Sequence, residues 1–260
     1  MSYPFSEVRV FLNYAIGHTV QWTLDAAFKE DEPYQFTLEA SETPNFEELI
    51  FSNPVGQAFY AKDNFMRKQS FHQSYIYRVK LETDSGNRYY SANVNHDTSS
   101  MDKRKYLLAA EMTRKELVDM SFTGRPGWLL KRKGYGQTAS QEKDPISGVV
   151  MTDNYIDYGT GLVGGYHEPI KITYAKSAED TQEGLSQEGY GGKQTKRIGI
   201  RMVGFPLVEK HDILVTAEDE RFLFMKIVSK HFPGTNVILR QNCDLTRIAS
   251  TDSVYKIQVQ

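Results

Sequence analysis

Alternation of apolar and polar residues restricts what the first part of the chain can form. Three segments show it most clearly, each with its apolar residues on one face: Val20, Trp22 and Leu24; Tyr34, Phe36, Leu38 and Ala40; Tyr75, Tyr77, Val79 and Leu81. A period of two residues is that of a half-buried strand, so the interleaved Gln35, Thr37 and Glu39 are expected to point outward. Turn-forming residues separate the segments, at Lys29–Pro33, Asn53–Pro54 and Asp84–Asn87. About seven such segments in roughly 100 residues predict a β-sandwich.

The order of these segments resembles a fibronectin type III or immunoglobulin-like module. Trp22 lies on the second predicted strand, and residues 75–83 correspond to the penultimate strand of such a module. Gly86 and a final strand near Arg88–Ala92 complete it. The resemblance covers residues 5–95, and we assign residues 1–97 to an N-terminal domain. Another kind of β-sandwich is the alternative.

One helix is predicted next, within residues 98–124. Ser99–Asp102 can form its N-terminal cap, with an acidic residue where the helix dipole favours it. Four apolar residues then share one face: Leu107, Ala110, Leu117 and Met120. Gly124 and Pro126 end the pattern. We expect this helix to link two β-rich halves, with its Lys and Arg side chains in solvent.

Residues 125–260 are predicted to form a second β-rich domain, either barrel-like or a sandwich with long loops. Its candidate strands are Trp128–Lys131, Ile170–Tyr174, Arg197–Val203, Asp212–Thr216, Phe222–Ser229, Val237–Asn242 and Tyr255–Val259. Turns are expected at Ala217–Glu220 and at Pro233–Gly234. Residues 175–196 contain few large apolar groups and four glycines, which predicts a long loop acting as a binding arm.

Charge and cysteine content exclude several classes of protein. The 260 residues carry a net charge of −2, so composition demands neither nucleic acid nor an acidic membrane as a partner. Cys243 is the single cysteine, which rules out an intramolecular disulfide and a multi-cysteine metal site. The N-terminus lacks the pattern of a signal peptide, and no apolar run approaches the roughly 20 residues that cross a bilayer. We expect synthesis and folding in the cytoplasm.

Motifs for chemistry are weak. Gly159–Gly164 spells G-x-G-x-x-G, but a dinucleotide site needs a helix opening at the third glycine, and Pro169 follows soon after. The six histidines are scattered, and no nucleophile elbow occurs. Asp153 and Asp157 are the only carboxylates spaced like an acid–base pair, and solvation explains them better. We predict no catalytic residue, no cofactor and no metal.

The best basic cluster is Lys131, Arg132 and Lys133, preceded by Arg125. Two interpretations are open. The cluster can be a solvated strand end, which we favour, or it can approach DNA or an acidic neighbour.

A distinctive run extends from Tyr158 to Pro169 and reads YGTGLVGGYHEP. It resembles a motif of neck (head–tail connector) proteins of tailed bacteriophages, in which it follows a basic strand and an Asp-Pro turn such as Asp144–Pro145. The resemblance covers about residues 125–259. Similar proteins often carry cysteine pairs around this motif, suggesting a zinc ribbon. In this chain the same neighbourhood contains Ser140, Glu142, Asn154 and Asp157 in place of cysteines. We therefore predict no zinc.

The resemblance implies a structural virion protein in a homo-oligomeric collar ring between portal and tail. Its partners would be the portal or head–tail adaptor, the tail terminator or other neck proteins, with sequence-independent proximity to DNA and no membrane contact. The N-terminal sandwich would project outward. The interface candidates are Tyr158, Gly159, Gly161, Gly164, Gly165, Tyr166, Pro169, Lys131, Arg132 and Lys133. One alternative is a tail-associated module that recognises a host-surface glycan or protein, and another is a virion hydrolase.

Overall fold

The chain is mainly β. The computed structural model describes residues 4–11, 18–63, 75–95, 103–139, 156–177, 183–186, 193–235 and 237–259. Among the described residues, strands make up 48% and helix 12%, and six strands close into a barrel. The predicted fold class is therefore confirmed.

The first eight strands form two antiparallel sheets. One sheet has the order β1 (Phe5–Phe11), β2 (His18–Leu24), β5 (Tyr60–Asp63). The other has the order β4 (Phe51–Gly56), β3 (Tyr34–Ser41), β6 (Ile76–Thr83), β7 (Arg88–Tyr90), and β8 (Val94–Asn95) also pairs with β6. The chain crosses between the sheets after β2, β4 and β5, as in a fibronectin type III-like sandwich.

The alternating apolar residues of these strands form the aromatic core of the sandwich. Trp22 and Phe36 meet edge to face, with ring centroids 5.3 Å apart. The alternation on β6 is confirmed, because Tyr77, Val79 and Leu81 are buried and the residues between them only half-buried. Gln35 is exposed, as expected. Thr37 and Glu39 also lie outside the core cluster, but both are buried, which the alternation did not predict. Strand β3 lies between β4 and β6, and Arg78 on β6 forms an ion pair of 2.7 Å with Glu39.

Helix α1 runs from Lys103 to Thr123 and follows the sandwich, as expected. Its buried face contains Ala109, Ala110, Thr113 and Met120. Leu107, predicted for that face, is exposed instead, because the helix packs on the barrel through its small residues. The predicted cap at Ser99–Asp102 lies outside the described residues. In the part of the chain that is described, no helix has the length and apolarity to span a bilayer.

The C-terminal strands form the barrel. They are β9 (Arg125–Leu130), β10 (Ile170–Lys176), β12 (Lys193–Val203), β13 (Ile213–Thr216), β14 (Arg221–His231) and β15 (Ile238–Arg247). The order is β10–β9–β13–β14–β15–β12, and pairing of β10 with β12 closes the ring. Strand β11 (Glu183–Ser186) pairs with the beginning of β12 outside the barrel.

Two expectations about this half are wrong. Residues 175–196 are not one long loop, because they include the end of β10, all of β11 and the beginning of β12. The predicted strand Tyr255–Val259 is replaced by a 3-10 turn at Ser253–Lys256. Asp252 caps that turn by accepting a hydrogen bond from the Val254 amide at 3.0 Å. The buried Arg221 holds it in place by donating to the carbonyls of Val254 and Ile257.

The cores of the two halves interlock. Tyr135, which follows β9, belongs to the sandwich core, whereas Phe59, which precedes β5, belongs to the barrel core. Gln21 on β2 adds a polar link, since its side-chain oxygen accepts from the Leu207 amide at 3.0 Å. The sandwich thus packs against the barrel along shared aromatic contacts.

Candidate assembly interface

The glycine–tyrosine loop, residues 156–169, is a compact turn with several left-handed residues. Positive φ angles occur at Tyr158, Gly159, Gly161, Gly164 and Gly165. Gly165 is the most constrained, because a Cβ added there would lie 2.6 Å from the carbonyl oxygen of Asp157. Glycine at this position therefore allows the loop to fold back on itself.

Asp157 organises the loop. Its carboxylate accepts hydrogen bonds from the amides of Gly159 at 3.0 Å and Gly161 at 3.1 Å. The Gly164 amide donates to the Ile156 carbonyl at 2.7 Å, which joins the two ends of the turn. The expectation that Asp157 is only a solvated carboxylate is wrong. Asp153, the other carboxylate with the spacing of an acid–base pair, lies outside the described residues.

A short antiparallel pairing fastens the loop to the segment after β9. The Lys133 amide donates to the Gly165 carbonyl at 3.0 Å, and the His167 amide donates to the Lys131 carbonyl at 2.9 Å. Tyr166 therefore lies opposite Arg132 in the ladder. The chain after Gly164 continues into this ladder and then β10, so the helix that a dinucleotide site needs is not formed here.

Lys131 is buried in an ion pair. Its ammonium lies 3.1 Å from the Asp212 carboxylate and 3.2 Å from Glu209. Asp212 also accepts from the backbone amides of Arg132 and Glu209. Burial raises the pKa of Asp212 to about 6, against the opposing effect of Lys131. The favoured interpretation of a solvated strand end is therefore wrong for Lys131.

Arg132 and Lys133 connect the barrel segment to its surroundings. Arg132 donates to the Thr160 carbonyl at 3.1 Å, which holds the middle of the glycine–tyrosine loop. Lys133 lies 3.5 Å from the carboxylate of Glu30 in the sandwich. Both side chains are half-buried, and the acidic group that meets Lys133 belongs to the same chain.

His167 anchors the end of the loop between the two halves. Its ring lies 4.6 Å from that of Phe59 and 5.7 Å from that of Tyr135. Burial lowers its pKa to about 3, and the nearby Lys133 and Lys131 lower it further. The imidazole is thus neutral at neutral pH and acts as a packing group. No sequence pattern around His167 indicated this role.

The surface of the loop differs from the one expected. Tyr158 and Tyr166 pack against a barrel-end cluster that includes Leu130 and Val254, and Gly165 is buried. Gly159, Gly164 and Pro169 are exposed, as an interface requires. Two apolar side chains not singled out from the sequence are also exposed, Ile156 at 50% and Val163 at 40%. Their exposure depends on how the loop folds back, which alternation alone does not indicate.

Metal and thiol chemistry have little support within the described residues. No group of three His, Cys, Asp or Glu side chains there is placed to hold a metal ion. Ser140, Glu142 and Asn154, from the neighbourhood that holds cysteines in similar proteins, lie outside the described residues. Cys243 is buried, and burial raises the pKa of its thiol to about 12.

Comparison with known proteins gives no assignment. The sequence matches no protein-family model and no curated protein.

Proposed function

We propose that the chain is a structural virion protein of a tailed bacteriophage, forming part of the neck or collar ring between portal and tail. The observation that carries the proposal is the glycine–tyrosine loop. This is the segment on which the resemblance to neck proteins rests, and it presents apolar side chains from a rigid turn.

Rigidity of the loop favours a role in binding another subunit. Asp157, Arg132 and the ladder to Lys131–Lys133 fix its backbone before any partner arrives. A preorganised surface loses little conformational entropy on association, which strengthens binding for a given area. Ile156 and Val163 lie at the same end of the turn, because the Gly164 amide donates to the Ile156 carbonyl.

The ionisable groups around the loop serve structural contacts. Lys131 is neutralised by Asp212, Asp157 binds backbone amides, and His167 is packed between aromatic rings. Such contacts support a packing role for this region and a protein whose work is assembly.

The experiment is native mass spectrometry of the purified chain, alone and with its portal protein. The wild type should form discrete rings or a portal complex. Ile156→Asp combined with Val163→Asp should reduce that assembly, because a carboxylate buried at an interface pays a desolvation cost. Leu49→Asp is the matched control, because Leu49 is 46% exposed on the sandwich, away from the loop. This variant should assemble normally.

Far-UV circular dichroism would establish that each variant is folded. If the wild type stays monomeric and binds neither portal nor tail proteins, the proposed neck function is wrong. Normal assembly of the folded loop variant would remove the loop from the interface and, with it, the support for the proposal.

Recognition of a host glycan by the sandwich has less support. Such sites usually need exposed aromatic rings, and Tyr90 is the one exposed aromatic residue among the described sandwich strands. The guanidinium of Arg78 lies 4.4 Å from the centre of its ring and covers one face.

A further inference from the structure

We propose that helix α1 binds the α1 helix of a second copy of this chain, in an antiparallel pair with two-fold symmetry. The contact uses the outer face of the helix and is separate from the glycine–tyrosine loop. The inference therefore goes beyond the proposed ring function.

The outer face of α1 carries a stripe of six residues, which we call the helix stripe. Its members are Arg104, Leu108, Glu111, Lys115, Val118 and Phe122. They are alternately four and three residues apart, which keeps them on one side of a helix with 3.6 residues per turn. Ala109, Thr113 and Met120 lie on the opposite side of the helix and are buried. The helix stripe thus points away from the barrel.

The large apolar side chains of the stripe are exposed. Phe122 is 85% exposed, Leu108 53% and Val118 42%. Leu107, at 40%, adjoins Leu108 and widens the apolar surface at that end. Exposed apolar residues gathered on one surface mark a site for another protein, and spacing of alternately four and three residues is that of helices that pack as a coiled coil.

The stripe is complementary to itself when two copies run in opposite directions. Its spacing of four, three, four, three and four residues reads the same from either end. An antiparallel copy therefore places Leu108 opposite Val118, so that apolar side chains meet. It places Glu111 opposite Lys115, so that opposite charges meet. At each end it places the guanidinium of Arg104 against the ring of Phe122, a favourable cation–π arrangement.

A parallel pair lacks this complementarity. Each residue would then face its own equivalent, so Glu111 would meet Glu111 and Lys115 would meet Lys115. Like charges at the same level of a helix pair repel each other. The order of the charges therefore selects the antiparallel pair.

Glu111 is already held at the centre of the stripe. Arg114 donates to both of its carboxylate oxygens, at 2.8 and 2.7 Å. This hydrogen bonding lowers the pKa of Glu111, so the carboxylate is ionised at neutral pH. Each carboxylate oxygen can accept a second hydrogen bond, which leaves room for the Lys115 ammonium of the second copy.

The self-complementary order commits the occupant of the stripe to a second copy of this chain. Such a contact is isologous and closes at two copies. The stripe is about 27 Å long at 1.5 Å per residue, and a single helix pair of this length gives a small interface. We expect a dissociation constant in the micromolar range.

Charge reversal at the centre of the stripe tests the pairing. Glu111→Lys places lysines opposite each other, and Lys115→Glu does the same with glutamates. Each variant alone should dimerise at least about tenfold more weakly than the wild type. An equimolar mixture of the two should recover, because every lysine then faces a glutamate. The double variant Glu111→Lys with Lys115→Glu should also recover, and only in the antiparallel pair.

Sedimentation equilibrium of the full chain without portal protein is the readout, with circular dichroism to verify folding. Glu47→Lys and Lys171→Glu are the matched controls, because they make the same charge changes at exposed sites outside α1 and should dimerise normally. Phe122→Ala should weaken the dimer without lowering the urea midpoint of the monomer, since Phe122 is 85% exposed.

A wild type that stays monomeric at every concentration overturns the helix pairing, as do single variants that dimerise normally. A folded double variant that stays monomeric overturns the antiparallel arrangement. The neck function is tested separately. A wild-type monomer that binds portal protein would leave the neck function standing, whereas a stripe-dependent dimer that binds neither portal nor tail proteins would leave only the helix pairing.

Discussion

Truncation of Phe59 should destabilise both halves of the molecule together. Phe59 lies between sandwich strands β4 and β5 in the sequence, but its side chain packs in the barrel core and is only 3% exposed. Its ring contacts those of His167 and Tyr60. Replacing a buried phenylalanine by alanine costs about 3–5 kcal/mol. With a urea dependence of about 3 kcal/mol per molar, the unfolding midpoint should fall by roughly 1 M or more.

The two tryptophans allow each half to be followed separately. Trp22 lies in the sandwich core and Trp128 in the barrel, so Trp22→Phe and Trp128→Phe give one reporter each. Phe59→Ala should lower both midpoints equally, because Phe59 and Tyr135 couple the cores. Leu49→Ala, at an exposed sandwich site, should change stability by less than about 0.5 kcal/mol. A lowered Trp128 midpoint together with a Trp22 midpoint that Phe59→Ala leaves unchanged would refute the coupling.

Two further predictions concern the loop and the buried ion pair. Gly165→Ala should lower the urea midpoint of unfolding more than Gly159→Ala does. Both glycines have positive φ, but only at Gly165 would the new Cβ collide with backbone, at the carbonyl oxygen of Asp157. Equal decreases in the midpoint for the two variants would contradict this packing. Burial raises the pKa of Asp212 to about 6, above its unfolded value of about 3.9, so the folded state binds the proton more tightly. Its contribution to stability is thus present at low pH and lost as pH rises through about 6. The free energy of unfolding of the wild type minus that of Asp212→Asn should fall between about pH 4 and pH 6 and then level off. A difference that rises or stays flat over this range, measured by urea unfolding, would show that the carboxyl is not desolvated as described.

Local patterns predicted most strands, because alternation is a property of neighbouring residues. Strand β2 contains the predicted alternating segment Val20, Trp22 and Leu24, and helix α1 ends at Thr123, just before the predicted Gly124. Strands were predicted wrongly where the alternation of apolar and polar residues was weak, or where a capping residue favoured a turn. Strand β11 was missed because its segment is rich in glycine and contains few apolar residues. The predicted strand Tyr255–Val259 was wrong because Asp252 caps a 3-10 turn there.

The glycine–tyrosine loop was selected from the sequence, but the details of its structure were not predicted. Glycines with positive φ angles fold the loop into tight turns. The burial of Lys131 was not predicted, because Asp212, its partner, is 81 residues away along the chain. Ile156 and Val163 could not be identified as exposed without the fold of the turn.

The sequence alone determined that this chain is β-rich, with a sandwich, one helix and a second β-half, since periodicity and turn residues act over a few positions. Tertiary structure alone decided that the second half closes into a barrel, that Phe59 packs in the barrel core, and that Tyr135 packs in the sandwich core. These outcomes depend on which distant surfaces meet. A residue's local pattern shows that it is apolar or charged, but only its neighbours in space decide whether it is buried, paired or exposed.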